Sequence, residues 1–249
     1  MSGHSKWATI KHQKGAKDKA RGKLFAKLIR QVEVAAREGG GDPASNAQLR
    51  TMFQKARDSS VPLDTIERAI KRGTGELEGV IYEAITYEGY APGGVAVLVE
   101  VLTDNRNRTG ADIRSTFSRA GGSIAEPGAV AWQFDRKGTV LVDRKVDEDE
   151  LMLVALDAGA DDIADDGELW RVISPPSDLH KVRTAIEGAG MAVDSADLTM
   201  LPQNTIPLED AESAKKVLRL IDALDEQDDV QNVYANFDIP DAILDTIEA

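Results

Sequence analysis

The chain has 249 residues, 42% hydrophobic and 29% charged, enough for a sizeable core and for more than one domain. It has no cysteine, which excludes disulfides, a thiol nucleophile and thiolate metal sites, and no apolar run near the roughly 18–20 residues that span a membrane. Its net charge is −13, yet residues 1–79 hold 16 basic and 9 acidic side chains, a net of +7, leaving −20 on the rest.

The charge split is sharpest at the start, where the first thirty residues carry nine Lys/Arg against one acid, Asp18. A basic end attracts polyphosphate and an acidic end repels it. The chain therefore reads as a nucleic-acid binder that touches its target through one end. The basic start lacks the apolar stretch of a secretory signal and the Ser-rich stretch of a transit peptide. It is read as part of the working protein, in the cytoplasm.

Residues 2–20 offer little to bury besides Trp7 and Ile10, so a basic arm is expected, with a short turn around Trp7–His12. A helix follows, because Phe25, Leu28, Ile29, Val32 and Ala36 share one face at a period of 3.6. Gly39-Gly40-Gly41 ends it, and Asp42-Pro43 is expected to cap a second helix carrying Leu49, Met52, Phe53 and Ala56. Pro62 opens a third, with Leu63, Ile66, Ala69 and Ile70 on one face and Gly73 as its stop. These form an N-terminal three-helix domain closing near Gly79.

Ile81–Tyr87 and Val95–Leu102 are rich in β-branched and aromatic residues and flank a turn cluster at 89–94, which predicts a hairpin. Asp104 or Asn105 caps a helix to about Arg119, and a strand is expected over Ala129–Phe134. Residues 138–199 then read β-α-β-β-α-β, the ferredoxin-like order. Asp147 with Glu150 starts its first helix and Ser177 its second. A strong amphipathic helix with Val217, Leu220, Ile221 and Leu224 and a strand at Asp229–Phe237 complete the chain. The fold class is α+β: 1–79 is a basic arm and helical domain, 80–135 plus 206–249 a discontinuous α+β domain, and 136–205 an inserted ferredoxin-like domain.

Candidate nucleic-acid contacts begin with the arm: Lys6, Trp7, Lys11, His12, Lys14, Lys17, Lys19, Arg21, Lys23, Lys27 and Arg30. Lysines and arginines neutralise phosphates and release counterions, and Trp7 either stacks on a base or packs on the helices. Arg68, Lys71 and Arg72 either widen this basic face or serve the dipole at the end of the third helix. Arg106 and Arg108, in the loop Thr103–Thr109 at a helix N-terminus, either hold a phosphate or belong to a capping loop. Three histidines without paired spacing make a transition-metal site improbable, and no nucleophile elbow, Walker or dinucleotide motif occurs. No catalytic residue, metal, cofactor or small-molecule substrate is called, and no enzyme activity is expected.

The stretches Gly3-His-Ser-Lys-Trp7, Arg21-Gly-Lys23, Lys27-Leu-Ile-Arg30, Gly40-Gly-Asp-Pro43, Asp64–Gly75, Tyr87-Glu-Gly-Tyr90 and Thr103–Thr109 resemble the YebC family over essentially the whole chain. The resemblance implies an N-terminal helical domain and two α+β domains, one inserted in the other. It implies a DNA-binding transcriptional regulatory protein. The alternative it carries is a ribosome-associated translation factor that meets ribosomal RNA and ribosomal proteins and assists difficult nascent sequences such as proline runs. Charge reversal at Lys11, Lys14, Lys19 and Lys23 is expected to weaken binding and flatten its salt dependence.

Overall fold

Glycine and proline punctuation divides the first third of the chain into helices, and alternating β-branched residues turn the rest into sheets. The computed structural model describes residues 18–248. It contains α1 (Asp18–Gly39), α2 (Ala47–Asp58), α3 (Leu63–Gly73), β1 (Glu83–Tyr90), β2 (Ala96–Thr103), α4 (Arg106–Arg119), β3 (Ser123–Ile124), β4 (Phe134–Asp143) and α5 (Glu148–Asp157). These are followed by β5 (Asp162–Asp165), β6 (Leu169–Ser174), α6 (Leu179–Gly188), β7 (Val193–Pro202), β8 (Ile206–Pro207), α7 (Ala211–Asp225), β9 (Val230–Ala235), β10 (Phe237–Asp238) and α8 (Asp241–Glu248). The fold is α+β. The described residues divide into one compact unit of 18–30, 79–135 and 202–248, and a second of 31–78 and 136–201.

In the first unit, β3-β1-β2-β9 form one sheet, with β1, β2 and β9 antiparallel neighbours. Val97, Val99 and Val101 point to one face of β2 by strand periodicity. They share a core with Ile113 and Phe117 of α4 and with Val217, Leu220, Ile221 and Leu224 of α7. In the second unit, four strands lie in the order β5-β6-β4-β7, the ferredoxin-like arrangement, with α5 and α6 burying Leu151, Ala155, Val182 and Ile186 against Val140, Val142, Trp170 and Val172.

Several expected boundaries move, each for a local reason. The turn at Trp7–His12 lies outside the described residues, and α1 already begins at Asp18. The cap of α2 is Asn46, not Asp42. Asn46 is buried, accepts from the Leu49 amide and donates to the Ala35 and Gly40 carbonyls, whereas Asp42 closes a turn through the Ala44 amide. Position 177 does not cap α6; Asp178 occupies the cap, without a side-chain bond. Gly89 is in β1 rather than in the turn, because a Cβ there would lie 2.6 Å from the Phe117 ring and 2.7 Å from the Ser123 carbonyl. The strand expected over Ala129–Phe134 is a 3-10 turn, Ala131–Gln133, and the strand starts at Phe134. The Glu88 carboxylate takes the amides of Gly128, Val130 and Ala131, so they are not offered to a ladder. The last strand breaks at Asn236, whose side chain accepts from the Ala96 amide and donates to Gln133, and Phe237 pairs instead with Ile206 in a short parallel bridge.

Gly73 ends α3 against the backbone of α1. A Cβ would sit 2.4 Å from the Glu33 carbonyl oxygen and 2.7 Å from Ala36 Cβ. Gly73→Ala is expected to cost about 1–3 kcal/mol through this overpacking, read as a lower midpoint in urea unfolding with the slope unchanged.

Candidate nucleic-acid interface

Lys23, Lys27 and Arg30 are spaced four and three residues apart, which sets them on one face of α1. In the first unit they meet the turn that follows α7, Asp225-Glu226-Gln227-Asp228-Asp229. Carbonyls left open at the end of a helix attract cations, and the neighbouring carboxylates add to this. Lys23 Nζ donates to the Glu226 carbonyl and lies 3.5 Å from Asp228. Lys27 Nζ reaches the Asp225 carbonyl at 2.8 Å and its Oδ1 at 3.1 Å. The Arg30 guanidinium donates to the Asp228 carbonyl at 2.8 Å and to Asp229 Oδ1 at 3.1 Å, and stands over the Tyr82 ring, 5.3 Å from its centre.

Asp229 is the hub of this contact. Its Oδ2 accepts from Thr109 Oγ1 and from Arg108, each at 2.6 Å. Arg108 also reaches Asp104 at 2.9 Å, and Arg106 pairs with Glu83 at 3.0 Å. Burial works to raise the Asp229 pKa, but the bonds from Thr109 and Arg108 and the charges of Arg108 and Arg30 outweigh it and hold the carboxyl below the usual aspartate value. Asn105 caps α4 by accepting from the Arg108 amide, and its own amide donates to Thr103 Oγ1. The loop Thr103–Thr109 is thus a capping loop whose two arginines are paired with carboxylates.

Asp229→Asn keeps the shape and removes the charge. A loss of about 1.5–3 kcal/mol is expected. The wild-type contribution is complete above the ordinary aspartate range, near pH ~3.9, and disappears as the pH falls through the lowered folded value. The difference between the two proteins in urea unfolding should therefore close in acid.

In the second unit, Arg72 donates to Glu33 at 2.9 Å, and Arg37 lies 3.5 Å from the same carboxylate. Arg68 and Lys71 of α3 are exposed and make no ion pair among the described residues. Arg21 is exposed, its guanidinium 5.4 Å from the Phe25 ring centre. Lys19 falls in the first turn of α1, and Lys6, Trp7, Lys11, His12, Lys14 and Lys17 lie outside the described residues. The structure thus brings Lys23, Lys27, Arg30 and Arg108 to one acidic turn. Sequence reasoning missed that turn, although the run Asp225–Asp229 after a strongly amphipathic helix was a visible signal. Among the described residues no group of three or more His, Cys, Asp or Glu side chains is placed to hold a metal, and no helix is long and apolar enough to cross a membrane.

Comparison with known proteins places these features in a family. Residues 5–76 match the model of the TACO1/YebC protein N-terminal domain, and residues 82–237 that of the TACO1/YebC second and third domain. The chain belongs to this family. A relative from Halothermothrix orenii, named a probable transcriptional regulatory protein, is 55% identical over 99% of this chain and 99% of its own. One from Syntrophobacter fumaroxidans with the same name is 55% identical over 99% of this chain and all of its own length. The crystal structure of a conserved hypothetical protein from Aquifex aeolicus superposes with a TM-score of 0.83 at 45% identity, covering 92% of this chain and 96% of that one. The names that the curated relatives carry are regulatory rather than enzymatic.

Proposed function

We propose that this chain is a DNA-binding transcriptional regulatory protein of the YebC family, acting in the cytoplasm and gripping phosphates through its amino-terminal end. The observation that carries the reading is the charge segregation: +7 over residues 1–79 against −20 over the rest. The regulatory names of relatives at 55% identity support it. First contact falls to the arm residues Lys6, Lys11, Lys14 and Lys17 with Lys19 and Arg21, and to Arg68 and Lys71, which make no ion pair among the described residues. Trp7 and His12 supply stacking and hydrogen bonding within the arm. Lys23, Lys27, Arg30, Arg106 and Arg108 face carboxylates, so a phosphate reaches them only by exchange. Each exchange sets a phosphate contact against an ion pair lost, which lowers its net value. The acidic remainder repels a duplex and keeps the contact to one end.

Phosphates of RNA would be neutralised by the same side chains, so the test is a competition. The purified chain is sedimented with ribosomes at near-physiological salt while duplex DNA is added. Loss to DNA, and preference for one promoter sequence over random duplex, is the expected result. Retention on ribosomes that excess duplex does not remove would overturn it and assign the chain to translation, with ribosomal RNA and ribosomal proteins as partners.

A further inference from the structure

Helix α5 is apolar on two sides. Leu151 and Ala155 face the core of the second unit and are fully buried. On the outward side Met152 is 37%, Leu153 67% and Leu156 47% exposed. Leu156 lies four residues after Met152 and three after Leu153, so it neighbours both and joins the three into one patch. Single exposed hydrophobics are ordinary, but a contiguous patch of large ones with a polar rim marks an interaction surface. The rim here has one sign. Asp149 and Glu150 lie four and three residues before Leu153, and Asp157 four after it, all exposed. Position 148 adds a further glutamate, and the helix carries no basic residue.

We infer that the outward face of α5 is a docking site for a basic amphipathic helix of a partner protein. Its apolar stripe would cover Met152, Leu153 and Leu156, and its flanking Lys or Arg would meet Asp149, Glu150 and Asp157. Charge selects this occupant among those an apolar face can take. A second copy packed face to face would set each acidic rim against another, in a chain already at −13, and like charges juxtaposed across an interface oppose association. Nucleic acid and anionic lipid are repelled by the same carboxylates. A helix laid along a groove or face, anchored at i, i+3 and i+4, answers both the apolar centre and the negative rim. The site is distinct in sign and position along the sequence from the basic amino-terminal end, so it serves a protein partner rather than the nucleic acid.

The test uses the full chain and two synthetic amphipathic peptides, one built of Leu and Lys, the other of Leu and Glu, followed by calorimetry at ~0.15 M salt. The Leu/Lys peptide should bind and the Leu/Glu peptide should not. Leu153→Ser with Leu156→Ser should weaken binding at least about tenfold. Asp149→Lys with Asp157→Lys should weaken it comparably, whereas Glu209→Lys, an exposed acid in the other unit, should leave it unchanged. In the unsubstituted chain the Met152 methyl resonance should shift on titration. Binding that survives the serine pair, falls equally with Glu209→Lys, or leaves Met152 unshifted means that the peptide senses only net charge, and overturns the inference. Self-association of the parent chain that Leu153→Ser abolishes would give the face to a second copy and overturn it as well.

Discussion

Reversing Lys11, Lys14 and Lys19 to Glu should lower the affinity for duplex DNA by roughly 100-fold at low salt and reduce the salt slope by about 3. Each phosphate neutralised by a lysine releases a condensed counterion, so log K falls with log salt by about 0.9 per contact. Removing three contacts removes about three increments of slope, independent of base sequence. Reversal at Lys23 should add less. That side chain already bonds the Glu226 carbonyl and lies 3.5 Å from Asp228, so its contact with a phosphate replaces one that exists. Reversal at Arg68 and Lys71, which carry no such partner among the described residues, tests whether α3 shares the contact. A salt titration of the wild type and these variants on one random and one promoter duplex measures all of it. An unchanged slope in the triple variant would remove the arm from the mechanism.

The elements that sequence periodicity reveals are those with one buried face. Leu28 and Val32 in α1, Leu49 and Ala56 in α2, Ile66 and Ala69 in α3, and Val217, Leu220, Ile221 and Leu224 in α7 are all buried as their spacing implied. The β-α-β-β-α-β order was legible from the alternation of β-branched runs with capped helices, and in β6 the burial alternates residue by residue. Buried polar side chains are where local reading fails. Asn46, Asn236 and Glu88 each bond backbone groups distant in sequence, and each relocates a boundary that propensity had put elsewhere. Gly89 looked like a turn residue because glycine usually marks one; its role is close approach to Phe117. At the basic end the sequence names the cations, but only folding reveals which have carboxylate neighbours. Arg30 lies 199 residues from Asp229, and no spacing rule spans that distance. The outward leucines of α5 were equally hidden, because residues 151–156 are apolar in succession and show no period to separate the buried side from the exposed one.

Glu88→Ala should destabilise the first unit by about 3–4 kcal/mol. Glu88 is 6% exposed, and its carboxylate accepts from the Gly128 amide at 2.6 Å, the Val130 amide at 2.7 Å and the Ala131 amide at 2.9 Å. Truncation leaves three N–H groups without their acceptor in a segment that has no strand partner. Glu88→Gln separates charge from acceptor count. Its carbonyl oxygen can keep Val130 and Ala131, but its NH2 faces the Gly128 amide, donor against donor, so about 1–2 kcal/mol should be lost. Burial favours the neutral acid and works to raise the Glu88 pKa, yet the three backbone bonds outweigh it and hold the group below the usual glutamate value. The sign follows from linkage: a depressed folded pKa gives stability that is complete above the unfolded value, near pH ~4.3, and is lost as the pH falls through the folded one. Urea unfolding of wild type and Glu88→Gln at neutral and acid pH should therefore converge in acid. A gap that stays constant would mean that the loop is held by its own turns and that the Glu88 charge contributes nothing.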